Sequence, residues 1–292
     1  MRRTWRCCSM TGFHSVADLV AASEAGRTLT SHFRKVPSQA TAASYWADLS
    51  MAAGSPPPQY YASEPLVAAT LNGMRGLFHG DNKSPSTMHL TRLGLLTSSA
   101  NMVGEFMMLD YLLYYPFVDG DSGDAQMMDN SVSLPRYEDG RGVMVMPVCA
   151  APNLATGSFT FEYVNQAGDV KTSPVNYIAS ATLTIATAGV AHVSSALTQP
   201  FCALASGDTG VRQINSVTWS STPGGLFSFV LVLPIASAAI REVNTMAEVA
   251  YIAHRPTPPI IEDGAYLNLI TRVAGSPVAT VTTGYTSFAW SD

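Results

Sequence analysis

Charge is the scarcest commodity in this sequence. Lys and Arg number 16 and Asp and Glu 21 in 292 residues, a charged fraction of 13%, where an ordinary soluble domain carries about 25%. The formal net charge is −5, which argues against a basic, nucleic-acid-binding protein. Intrinsic disorder is excluded. Hydrophobic residues make up 47% of the chain and the mean hydropathy is +0.15, whereas disordered chains are poor in apolar residues and rich in charge. A monomer that stays soluble through surface charge is hard to build from so little of it. Part of the uncharged surface is therefore expected to be covered by other subunits.

Cysteine is rare too, with four residues. Cys7, Cys8, Cys149 and Cys202 do not make a disulfide framework at this length, and no C-x-x-C occurs to support a zinc ribbon or a redox pair. Cys149 and Cys202 sit in apolar segments and read as small buried hydrophobes, which fits synthesis in a reducing compartment. A membrane-spanning run is missing too. The longest weakly polar stretch, LFSFVLVLPIASAAI at 226–240, has 15 residues and is broken by Pro234, short of the ~20 a spanning helix needs. It reads as a buried strand and its exit, and no membrane association is expected. The N-terminus, MRRTWRCCSMTGFHSV, starts with positive charge but lacks the apolar stretch of a signal peptide, so the chain is expected to be made and kept in the cytoplasm. No phosphate-binding G-x-x-x-x-G-K-[ST] is present.

What is present falls into two unlike parts. Residues 1–140 hold 23 of the 37 charges and the helix-like patterns. VADLVAASEAG after Ser15 puts Val16, Leu19 and Val20 on one face and ends at Gly26, which predicts a helix. Further helices are predicted from Tyr45 to Gly54, from Glu64 to Gly73 with Pro65 in the first turn, and over 98–115, SSANMVGEFMMLDYLLYY, stopped by Pro116. The last should be the spine of the N-terminal region. Between 119 and 142 the sequence becomes acidic and rich in turn formers, as a connection between domains should be. Beyond it, short apolar runs at 143–149, 157–164, 181–186, 211–219, 226–233, 266–273 and 286–290 are spaced by Gly, Pro, Asn and Asp. GSFTFEYV alternates cleanly, placing Phe159, Phe161 and Tyr163 on one face. Only 241–253 has helical character there. The expected fold is α+β and mainly β: a helical region over 1–140, then an antiparallel, jelly-roll-like β-sandwich over 141–292.

Candidate chemistry is thin. Gly120-Asp121-Ser122-Gly123 spells the string around a serine-protease nucleophile, but that serine needs a histidine base and an orienting acid in the same site, and none of His14, His32, His79 or His89 has the matching context. Asp119, Asp121, Asp124 and Asp129 offer oxygen ligands, yet from Asp119 the fifth and twelfth positions are Gly123 and Asn130, which breaks the EF-hand spacing. The six histidines are dispersed without metal-ligand pairing. No enzyme activity, metal or cofactor is expected. The residues singled out for interaction are Arg2, Arg3, Trp5 and Arg6, because 1–36 carries a balance of +4 on an acidic protein. A basic arm interleaved with aromatics suits a protein neighbour.

TGFHSVADLVAASEAG, SYWADLSMAAGSPPPQYYASEPL, FMMLDYLLYYPFVDG, SGDTGVRQINSVTWS and the closing EDGAYLNLI and SFAW together resemble structural proteins of tailed bacteriophages. The resemblance implies a virion component of the capsid-associated, decoration or minor-capsid type, assembled in the host cytoplasm and attached to the major capsid protein or other virion proteins. A tail or host-adsorption protein and a jelly-roll coat protein of another virus are the competing expectations. The sparse charge separately predicts a closed homo-oligomer, a trimer first.

Overall fold

A computed structural model describes residues 13, 15–37, 45–80, 82–151, 155–178, 200–254, 258–275 and 279–291. Three antiparallel sheets make up most of it. The first, the proximal sheet, runs β14 (Ala247–Ala250), β5 (Met88–Thr97), β17 (Thr282–Trp290), β1 (Thr28–Val36) and β3 (Ala53–Ser55), with β15 (Ile260–Ile261) also on β5. A shared sheet runs β2 (Trp46–Asp48), β16 (Leu267–Val273), β6 (Gly104–Asp119), β13 (Leu226–Ile240) and β8 (Met144–Ala151), with β4 (Ala69–Thr70) on β6. In the distal sheet the order is β10 (Val170–Thr172), β9 (Gly157–Asn165), β12 (Val211–Ser221) and β7 (Gln126–Met127), with β11 (Asn176–Ile178) on β9.

The long strands β6 and β13 organise the molecule. At one end Leu113, Tyr115, Phe227 and Phe229 pack against Phe159, Phe161, Val217 and Trp219 of the distal sheet. Toward the other end Phe106, Met108, Ala236 and Ile240 pack against Leu90, Leu93, Leu95 and Phe288 of the proximal sheet. Two sandwiches therefore hang on one sheet. A third apolar layer, with Tyr111, Tyr114, Val230 and Val232 beneath Trp46, Tyr61, Leu71 and Tyr266, covers more of the shared strands.

The expectation of a mainly β chain with antiparallel sheets holds, and the helical N-terminal region does not. Its first helix forms: α1 (Val16–Glu24) is capped by Ser15, whose hydroxyl accepts from Asp18 N at 3.2 Å while Asp18 Oδ2 accepts from Ser15 N at 2.9 Å, two otherwise unpaired donors satisfied at once. Gly26 follows at φ +71°. The other three expected helices are strand, turn and single 3-10 turns: β2 and β3 around Leu49–Met51, β4 before Gly73–Arg75, and β6 after Ala100–Met102. The reason is clearest in β6. Its run of apolar residues is buried almost continuously, and a strand covered on both sides loses the period-two alternation that would distinguish it from a helix.

Neither proline stops its strand. Between Tyr115 and Val118 β6 has an extra residue relative to Phe227–Phe229 of β13, so Pro116 and Phe117, the latter at φ +59°, form a bulge. Two more register shifts follow, between Leu231 and Val232 and between Pro234 and Ala236, and β13 continues past them to Ile240. Bulges are where a sheet interior tolerates proline, which has no N–H to give the ladder.

The boundary expected at 140 does not separate sheets, because β5 and β1 pair with β17 and β6 pairs with β13 and β16. The expected acidic linker is also built in. Met127 pairs with Ser216, Asp129 bridges Val67, and Leu134 is buried in the distal core. Of the helical character at 241–253, β14 takes part and α2 (Tyr251–His254) supplies one turn. The strand expected at 181–186 lies outside the described residues.

Candidate functional site

Two buried carboxylates hold the polar centre of the fold. Asp48 ends β2 and is 1% exposed. It accepts hydrogen bonds from Ser50 N at 2.8 Å, Tyr61 OH at 2.5 Å and Tyr111 OH at 2.7 Å. Burial pushes its carboxyl above the usual range, and these donors pull back. Burial also raises the Tyr61 and Tyr111 phenols, reinforced by the neighbouring Asp48 charge, so both stay protonated and able to donate. Fully buried Lys35 donates to the carbonyls of Ala52 at 3.2 Å and Pro56 at 2.8 Å. Desolvation lowers its pKa to about 8 against the attraction of Asp48.

Asp110 is the second. Arg136 grips it with two bonds, Nη2 to Oδ1 at 2.7 Å and Nε to Oδ2 at 2.9 Å, and Tyr266 N adds a third at 2.9 Å. Burial raises the Asp110 pKa while the guanidinium opposes it. Arg136 also reaches Tyr111 O at 3.1 Å, which ties the 119–142 segment to β6. A general acid or base must come within hydrogen-bond reach of a substrate. Neither carboxylate is open to one, and what they do is fasten β2, the 56–61 stretch, β6 and 136 together.

A cavity of about 800 Å³ opens beside this centre, lined by Pro56, Pro57, Asn72, Phe78, His79 and several glycines. His79 is itself buried, with Nε2 2.9 Å from Ala265 O. His89 is held likewise, Nδ1 3.1 Å from Pro258 O, with the Phe13 ring at 5.4 Å. Burial lowers both imidazole pKa values.

The structure does not bring the sequence motifs together into a site. Ser122 lies in the turn after β6, where its Oγ accepts from Asp124 N at 3.3 Å, and Asp119 Oδ1 accepts from Asp121 N at 2.9 Å. Asp129 is drawn away by its backbone bonds to Leu66 and Ala68. Among the described residues no group of three His, Cys, Asp or Glu side chains converges to hold a metal ion, and no helix is long and apolar enough to cross a membrane. Cys149 and Cys202 are buried, and burial raises both thiols. Arg2, Arg3, Trp5 and Arg6 lie outside the described residues. Sequence reading missed Asp48, Asp110 and Arg136. The available signal was a lone charge inside an apolar run, WADLS and MMLDYLLYY, because a charge that must be buried needs a partner.

The fold and its sealed polar centre define a class: an antiparallel β protein of two sandwiches on a common sheet. No family model matches the chain, and no curated protein does. Among solved structures it is similar to the VP2 protein of infectious bursal disease virus in derived T=1 particles, at 8% identity and a TM-score of 0.18, covering 90% of this chain and 77% of that one. A second structure of T=1 particles derived from the same virus gives 10% identity and a TM-score of 0.15 over the same shares. Superpositions this loose carry no argument about function.

Proposed function

We propose that the chain is a structural protein of a virus particle, a non-enzymatic subunit that stabilises a shell through contacts with copies of itself and with neighbouring shell proteins. In its specific form it is a capsid decoration or minor capsid subunit of a tailed bacteriophage, trimeric, attached to the major capsid protein and residing in the virion after assembly in the host cytoplasm. The observation that carries the reading is the use made of the few interior charges. Asp48, Asp110, Lys35 and Arg136 all join one chain segment to another, while the composition leaves broad uncharged surface of the kind that copies of a subunit cover. The basic arm with Arg2, Arg3, Trp5 and Arg6 is proposed to reach an adjacent shell protein.

Quantitative mass spectrometry of purified particles tests this. A copy number near whole-shell occupancy supports a decoration or coat role, a few copies per particle supports a tail role instead, and absence from particles overturns the proposal. Deleting residues 1–10 should weaken attachment, more so at high salt, while the oligomer survives. Ser122→Ala should leave assembly and infectivity unchanged. A second reading, a jelly-roll coat protein of another virus, predicts that the protein alone forms closed shells visible by electron microscopy.

A further inference from the structure

The outward face of the distal sheet is unlike the other exposed sheet surface. Along β9, Phe159, Phe161 and Tyr163 enter the core, while Thr160, Glu162 and their alternates are half-exposed. Residues directly opposite one another in an antiparallel pair share a face. The register therefore places Thr218 beside Thr160, Ser216 beside Glu162, and Met127 beside Ser216. By the same rule Val170 joins Val164 and Tyr177 joins Ser158. Met127, Val170 and Tyr177 are 64%, 58% and 54% exposed. The one charge in these rows is Glu162, and it already accepts a hydrogen bond from Asn215 Nδ2 at 3.1 Å. Lys171 of β10 is opposite Tyr163 and so outside these rows, and it pairs with Asp169 at 3.7 Å at the sheet's edge; the proximal sheet exposes Arg34, Arg92 and Glu248 on its strands, the last two also paired at 3.7 Å.

We infer that the distal-sheet face is the surface through which one copy of this chain docks on a second copy. The inference rests on the structural reading above and adds to its trimer a two-fold contact through which a copy in one oligomer meets a copy in another. Charge selects the occupant. In a two-fold interface residue i meets residue j and j meets i, so a charge on the patch needs an opposite charge at its symmetry-related position, and a face with almost no charge makes no such demand on its copy. A nucleic acid would find no positive charge in these rows, and a basic protein surface would find only Glu162, already bonded to Asn215. The five strands, of two, nine, three, three and eleven residues, give roughly 450 Å² in projection at about 4.8 Å between strands, a little over half of the ~800 Å² per partner in a standard interface. Exposed Met and Tyr supply the apolar anchors that interfaces favour, and two twisted sheets stack face to face at about 30°.

The test uses the full-length chain carrying Thr160→Arg with Thr218→Arg, followed by sedimentation velocity at micromolar concentration and by thermal unfolding. Thr28→Arg on the exposed end of β1 serves as the control. The double variant should associate at least ten-fold more weakly at an unchanged Tm, and the control should match wild type. Should the double variant fail to fold, Thr160→Lys alone should give a smaller shift in the same direction. Assembly of the folded variants indistinguishable from wild type overturns the inference and leaves the structural reading standing. A lowered Tm with association intact also overturns it, because the face is then covered within the monomer. A wild-type chain that neither self-associates nor occurs in particles overturns the structural reading, and this inference with it.

Discussion

At the scale of single residues, most of the interior polar groups named above act as fasteners, and their worth lies in being complete. Removing one partner strands the other in an apolar interior, which costs about 3–5 kcal/mol for a buried ion pair, whereas replacing both by apolar groups of similar volume is often nearly neutral. Arg136→Ala should therefore lower stability by about 3–5 kcal/mol, read from urea unfolding. Asp110→Leu combined with Arg136→Met should recover much of that loss. Gly94 makes a steric counterpart to this electrostatic case. The Tyr285 ring lies across it, so a Cβ there would sit 2.3 Å from Tyr285 Cε1, and the Tyr285 hydroxyl bonds Glu248 on the neighbouring strand. Gly94→Ala should cost about 1–3 kcal/mol by overpacking. Tyr285→Ser in the same chain should reduce that penalty, a coupling a double-mutant cycle would measure.

Among elements, the connection between α2 and β16 depends on histidines. His89 reaches Pro258 O and His79 reaches Ala265 O, so two imidazoles pin 258–266 to β5 and to the segment that leads into it. Each has its second ring nitrogen, His79 Nδ1 and His89 Nε2, buried without a hydrogen-bond partner among the described residues. Protonation would place a new N–H donor where nothing accepts it. The charged groups acting on His79 are Asp110, Arg136 and Asp263, whereas among the described residues the Pro258 carbonyl opposes the desolvation of His89. Both folded-state values lie below the ordinary histidine value of 6.5, so the unfolded chain binds more protons as the pH falls below that value. The contribution of these groups is fully present above pH 6.5 and is lost as the pH drops from there toward the folded-state values. The urea midpoint should fall on acidification from about pH 7 to pH 5, and His89→Gln should flatten that slope.

For the whole molecule, the shared sheet decides how many units there are. Trp219 sits in the distal core and Trp290 packs on the proximal one, yet β6 and β13 run through both. Loss of either core would strip one end of the same two strands. Single-tryptophan variants keeping only Trp219 or only Trp290 should unfold with one common midpoint. Two separated midpoints would show that the sandwiches are independent despite the strands they share. Residues 126–137 should resist limited proteolysis as well, since β7, Leu134 and Arg136 are part of the packing.

The sequence by itself determined the β character of the second half. Phe159, Phe161 and Tyr163 face the core as their alternation says, and the runs at 143–149, 211–219, 226–233, 266–273 and 286–290 all lie in or along strands. It also determined α1, because a capping box and a terminal glycine are local devices that work without the rest of the chain. Tertiary structure alone decided β6, β2 and the fate of both prolines. A run covered on both sides has no periodicity to read, and a bulge exists only against a partner strand, here β13. The same limit hid the polar centre. Asp48 and Tyr111 stand 63 positions apart, and Asp110 and Tyr266 stand 156 apart. No local pattern ties such residues, and only the pairing of distant strands brings them within a hydrogen bond.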